Sequence, residues 1–129
     1  MYAGGHVIIV GGGLVGAEMA YDYGLEGKKV TLVEALDDIL ANDPAGVPAQ
    51  VHDLLAELLN LEHVNLLLGH RLEGITDKGA VVSDHEGIKS EVEADDVIIA
   101  IGFRCRPSMA YDLMKSERLS GKLVYTELS

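Results

Sequence analysis

The sequence predicts an α/β fold: a parallel sheet flanked by helices, with a three-stranded antiparallel meander as one crossover. Three observations carry that prediction. Short apolar runs at Val7–Val10, Val30–Val33, Val64–Leu68 and Val97–Ile101 suit strands covered on both faces. A glycine-rich turn and a helical segment separate the first two runs, giving the order strand, turn, helix, strand. Between the third and fourth runs lie three shorter segments divided by turn residues, the last of them alternating in polarity.

Taken in order, Met1–Gly5 carries no readable signal. Val7–Val10 hands over to Gly11-Gly12-Gly13-Leu14-Val15-Gly16, which matches G-x-G-x-x-G at Gly11, Gly13 and Gly16. The pattern alone is weak. Here it joins a strand to a helix, and Glu34 ends the next strand at the distance of about 20 residues that a dinucleotide fingerprint requires. That context makes the sheet Rossmann-like. Gly11 permits a tight turn, Gly13 lets a pyrophosphate approach the backbone, and Gly16 lets the helix lie close. Ala20 and Gly24 extend the small-residue stripe. The helix starting near Leu14 aims its unpaired N–H groups at the diphosphate, so no lysine is needed.

Gly27 is positioned to cap that helix, with Lys28-Lys29 favourable at its C-terminus. Residues 35–47 read as a loop rich in Asp, Asn, Pro and Gly. A second helix is expected over 48–60, where Val51, Leu54, Leu55, Leu58 and Leu59 form an apolar stripe facing the sheet. Residues 71–76, 80–84 and 87–94 read as the meander. In the last of these Ile88, Ser90, Val92 and Ala94 alternate with Lys89, Glu91 and Glu93, one face buried and one wet. Residues 108–116 read as a helix capped by Ser108, and 123–126 as a last strand.

At 129 residues the chain is about one domain, assigned to residues 6–126. Ten basic against 21 acidic residues give a net charge of −11, which repels nucleic acid and anionic membrane alike. The longest apolar run, interrupted by glycines, is too short to span a bilayer, and no secretion signal precedes it. Cys105 is the only cysteine, which fits a reducing, cytoplasmic setting. His6, His52, His63, His70 and His85 show no metal-ligand spacing, and no Gly-x-Ser-x-Gly elbow exists, so no metal site and no catalytic residue is assigned. The adjacent acids Asp37-Asp38 and Asp95-Asp96 read as solvated loop ends. Tyr21 and Tyr23 read as packing residues, and Arg104 and Arg106 as salt-bridge partners or phosphate contacts.

Val7 to Glu18, together with Val97-Ile98-Ile99-Ala100-Ile101-Gly102-Phe103-Arg104 and Pro107, resembles the nicotinamide-nucleotide domain of flavin-dependent pyridine nucleotide–disulfide oxidoreductases. Lys28 to Glu34 with Asp38-Ile39-Leu40 looks most like the C-terminal part of 2-enoate reductases, 2,4-dienoyl-CoA reductases and NADH oxidases. The resemblance implies NADH across the glycine turn, passing hydride to FAD held by an FAD domain outside this chain, which would then be a fragment of a larger flavoprotein. It places Glu18 on the nicotinamide side, Ile101 and Gly102 on the opposite wall, and Arg71 or Leu72 beside the adenine. The expected cofactor contacts are Gly11, Gly12, Gly13, Leu14, Val15, Gly16, Glu18, Glu34, Ala35, Leu72, Ile101 and Gly102. The sequence departs from the family in lacking a redox cysteine pair, the terminal Gly-Asp motif for FAD and the FAD domain's own glycine motif. No bound FAD and no turnover are therefore expected of this polypeptide alone.

Glu34 also bears on the choice of nucleotide. Its carboxylate suits the adenosine ribose diol, whereas a 2′-phosphate would meet it at a cost of about 4 kcal/mol, several hundredfold against NADP. The residues that follow, Ala35-Leu36-Asp37-Asp38, offer no compensating arginine. Two other readings stay open: FAD in the same turn, and a standalone NAD-sensing regulatory module.

Overall fold

Alternate residues of the first strand, β1 (His6–Val10), point into two different layers, and that division organises the molecule. Val7 and Ile9 face helices, while Ile8 faces the meander. A computed structural model describes residues 5–41, 48–101 and the strand 123–125. After β1 come α1 (Leu14–Leu25), β2 (Lys29–Glu34), α2 (Ala49–Leu61) and β3 (Asn65–Leu68). The meander is β4 (Arg71–Ile75), β5 (Gly79–Ser83) and β6 (Lys89–Glu93), followed by β7 (Asp96–Ile99) and β8 (Leu123–Tyr125).

The central sheet has the order β3-β2-β1-β7-β8, every neighbouring pair parallel. The chain thus steps outward from β1 through β2 to β3, then returns to the other side of β1 as β7. The meander is the crossover that makes this return. The reversal between β1 and β7 opens a crevice at the carboxyl ends of the strands, where open α/β sheets take their ligands.

Two cores flank the sheet. Val7, Ile9, Val30 and Leu32 pack with Ala17 and Ala20 of α1, Leu55 and Leu59 of α2, and Ile39 and Leu40 of the loop after β2. On the other face Ile8, Val33 and Val97 pack with Ala80 and Val82 of β5, flanked by Leu72, Ile75 and Val92. Thr31 is fully buried, its hydroxyl paired with Nε2 of His6 at 2.8 Å.

α1 ends as the sequence suggests. Gly27 takes φ +87°, the Lys28 N–H reaches the Tyr23 carbonyl and the Gly27 N–H that of Gly24, a Schellman motif. α2 ends in the same motif with His63 in the left-handed position at φ +57°, which no glycine announced.

Two expectations are corrected. The stripe on α2 does not all face the sheet: Leu55 and Leu59 are buried, but Val51 is 42% and Leu54 58% exposed. The helix packs against α1, so only one edge of its stripe meets the core. Along residues 87–94 only Val92 and Ala94 are covered, and those partly, while Ile88 and Ser90 are exposed. Those two residues lie toward the β5–β6 turn, away from the end of the strand that packs on Ile8, Val33 and Val97. The helix expected over 108–116 and Gly102 lie outside the described residues.

Candidate functional site

The crevice is built around the turn that leaves β1. Gly11 has φ +115°, and a Cβ there would run into the Ala100 carbonyl at the end of β7. A Cβ on Gly16 would strike the Gly11 carbonyl, so the first turn of α1 rests on the turn itself. Gly13 differs: a Cβ there would meet nothing within 4 Å, and its φ of −73° suits any residue. Open space lies where the ligand-facing glycine was expected. Gly13 also gives α1 no side-chain cap, and among the described residues no acceptor is found for the N–H groups of Gly13, Leu14, Val15 and Gly16. Four unpaired donors at a helix N-terminus form a ready cradle for an anion.

Three hydrogen bonds hold the Gly11–Gly12 segment. The Gly12 N–H donates to Oε1 of Glu34 at 2.7 Å, and the Gly12 carbonyl accepts from the Leu40 N–H at 2.7 Å. The Gly11 N–H donates to the Val33 carbonyl at 2.8 Å. Leu40 reaches Gly12 by taking φ +60°, a conformation that strains a leucine, while its side chain and that of Ile39 are buried under the turn.

Glu34 stands at the end of β2 with both carboxylate oxygens engaged, since Oε2 accepts the Leu36 N–H at 2.7 Å. The next wall comes from the β3–β4 junction. The Gly69 N–H donates to the Leu36 carbonyl at 2.8 Å, and the His70 N–H to the Glu34 carbonyl at 3.0 Å. The His70 ring pairs Nδ1 with the Leu68 carbonyl.

The sequence-based contacts therefore fall into groups. Gly11, Gly12, Gly13, Leu14, Val15 and Gly16 come together with Glu34, and Ile101 abuts Gly11, partly exposed beside the turn. Ala35 and Glu18 are exposed, Glu18 one helical turn beyond Leu14. Leu72 points elsewhere: it packs in the core beneath the meander, and Gly69 and His70 occupy the level of Glu34 instead. Gly102 lies outside the described residues. Leu36, Leu40, Gly69 and His70 were not foreseen as parts of the crevice, because they act through backbone groups, which residue identity does not reveal. Among the described residues no cluster of three His, Cys, Asp or Glu groups could hold a metal ion, and no helix is long and apolar enough to cross a membrane.

Unpaired donors at a helix N-terminus, an acidic strand end and a reversal of strand order are joined here in one crevice. Comparison with known proteins agrees with that architecture. Residues 3–125 match the sequence family described as pyridine nucleotide-disulphide oxidoreductase. The chain belongs to that family.

Relatives within it include the nitric oxide reductase FlRd-NAD(+) reductase of Escherichia coli O157:H7, 39% identical over 107 residues, covering 81% of this chain and 27% of that protein. Cinnamate reductase of Clostridium sporogenes is 37% identical over 100 residues, covering 78% of this chain and 15% of that protein. The chain thus spans about a quarter or less of the relatives it matches. In three dimensions it resembles 2-naphthoyl-CoA reductase, with a TM-score of 0.70 at 20% identity over 95% of this chain and 18% of that one. It also resembles the water-forming NADH oxidase from Lactobacillus brevis bound to NADH, with a TM-score of 0.61 at 24% identity over 85% of this chain and 24% of that one. These likenesses establish the fold as that of Rossmann-like pyridine nucleotide–disulphide oxidoreductase domains.

Proposed function

We propose that this domain binds NADH across the Gly11–Gly16 turn and presents it to FAD carried by another part of a flavoprotein oxidoreductase of the enoate reductase or NADH oxidase kind. One observation carries the reading: an open, side-chain-free cradle of unpaired N–H groups stands beside a carboxylate fixed at the end of β2. The diphosphate would lie on the N–H groups of Gly13 to Gly16, neutralised by the helix dipole. The ribose diol would donate to Glu34, and Ile101 and Leu14, both exposed and apolar, would flank the nicotinamide end. NADH supplies a hydride and the flavin accepts it, so this chain's share is grip, orientation and exclusion of NADP. That one relative is an NAD(+) reductase and one structural neighbour an NADH oxidase bound to NADH lends support.

Calorimetric titration of the purified chain with NADH, NADPH and FAD tests the proposal. Micromolar NADH binding with much weaker NADPH binding is expected. Preference for NADPH would remove the role given to Glu34. A yellow protein that takes FAD in preference to either nicotinamide nucleotide would reassign the cradle.

A further inference from the structure

The carboxylate of Glu34 is not a free surface acid. Oε1 accepts the Gly12 N–H and Oε2 the Leu36 N–H, both at 2.7 Å, so each oxygen is anchored to a different backbone segment. Those segments are themselves fixed. Gly12 is tied to Leu40 through its carbonyl, and Leu36 is tied to Gly69 through its own. A carboxylate held by two charge-assisted bonds can adopt one orientation only. Each oxygen still has a lone pair for a ribose hydroxyl, since a carboxylate offers about four acceptor positions.

Building on the reading above, we propose that the N–H groups of Gly12 and Leu36 pin Glu34, and that this pinning, as well as the charge, sets the selectivity for NADH over NADPH. The diol meets acceptors already aimed, so no rotamer freedom is lost on binding. A 2′-phosphate meets a charge that cannot swing away. An unpinned glutamate would relieve most of the repulsion at the smaller cost of leaving its preferred rotamer. Leu36 thereby acts as a specificity-determining residue through its main chain, with Gly12 as its counterpart across the crevice.

The test separates the pin from the charge. Leu36→Pro deletes the donor to Oε2 and leaves the carboxylate in place. Glu34→Asp keeps the charge on an arm too short to reach both donors, and serves if the proline variant fails to fold. In either, NADPH should gain on the order of tenfold relative to NADH, as expected when a charge repulsion gives way to a rotamer cost. In Glu34→Gln without nucleotide, hydrogen exchange at the Gly12 amide should accelerate on the order of tenfold, since the amide loses an ionised acceptor. An unchanged nucleotide ratio in a folded Leu36→Pro or Glu34→Asp protein overturns the proposal. So does an unchanged Gly12 exchange rate in Glu34→Gln. If the wild-type chain binds neither nucleotide, the functional reading falls and the selectivity claim with it. The exchange experiment then decides the pin alone.

Discussion

Gly11, Gly13 and Gly16 share a motif but answer to different demands. Gly11 is needed for its left-handed φ and for contact with Ala100, and Gly16 for contact with the Gly11 carbonyl. Gly13 has ordinary dihedrals and open space, so folding places no demand on it. Gly11→Ala should therefore cost roughly 2–4 kcal/mol of unfolding free energy, from strain and overlap together. Gly13→Ala should stay within about 0.5 kcal/mol of wild type. If the cradle takes a diphosphate, Gly13→Ala should nonetheless weaken NADH on the order of tenfold, about 1.4 kcal/mol. Chemical denaturation of both variants beside an NADH titration of Gly13→Ala checks all three. The motif shows that three glycines matter. It also anticipates the division, with the tight turn at Gly11, the ligand side at Gly13 and the close helix at Gly16; what it does not show is the Ala100 carbonyl and the empty space behind that division, neither of which is written near residue 13.

At the scale of elements, two histidines tie structural segments together with opposite dependence on pH. His52, on the first turns of α2, pairs with Asp53 at 3.0 Å and with Asp38 of the β2 loop at 2.9 Å. Its bonds to Asp53 and then Asp38 raise its pKa above the ordinary 6.5. Its contribution is therefore fully present below 6.5 and is lost as pH rises through the elevated folded value. His6 is the reverse case: burial, and then the neighbouring Lys29, lower its pKa, outweighing the Glu93 backbone and Asp95. Its neutral ring bonds Thr31, and that contribution is complete above 6.5 and lost as pH falls through the depressed folded value. Thermal unfolding from about pH 5 to about pH 9 should show His52→Gln flattening the alkaline fall and His6→Gln the acid one. Strands and helices were legible because apolar runs and 3.6-residue spacing report local burial. What escaped was the share of each face that is covered. Leu54 reads as core by spacing yet is 58% exposed, since coverage depends on where α1 ends and the sheet edge begins. The left-handed cap at His63 escaped for a related reason, because only tertiary packing makes a histidine take a glycine's role.

For the whole molecule, the order β3-β2-β1-β7-β8 puts the two walls of the crevice on strands from opposite ends of the described chain. The sequence order of strand, turn, helix and strand was enough to place the first wall. The second depended on a meander whose inward face is shared among Ala80, Val82 and Val92, and on a pairing of β1 with β7 that no local signal specifies. Val7 pairs with Asp96, so forming that ladder closes a loop whose entropic cost is about 4 kcal/mol. Contacts this distant in sequence make for slow, late-consolidating topologies. A dinucleotide that touches both Glu34 and Ile101 can act only once β7 has docked. Stopped-flow kinetics should then show saturating NADH slowing unfolding while leaving the refolding rate unchanged. The glycine turn, synthesised well before β7, becomes a mouth only when that wall arrives, so a bound cofactor would guard the finished domain against opening and give no help in its assembly.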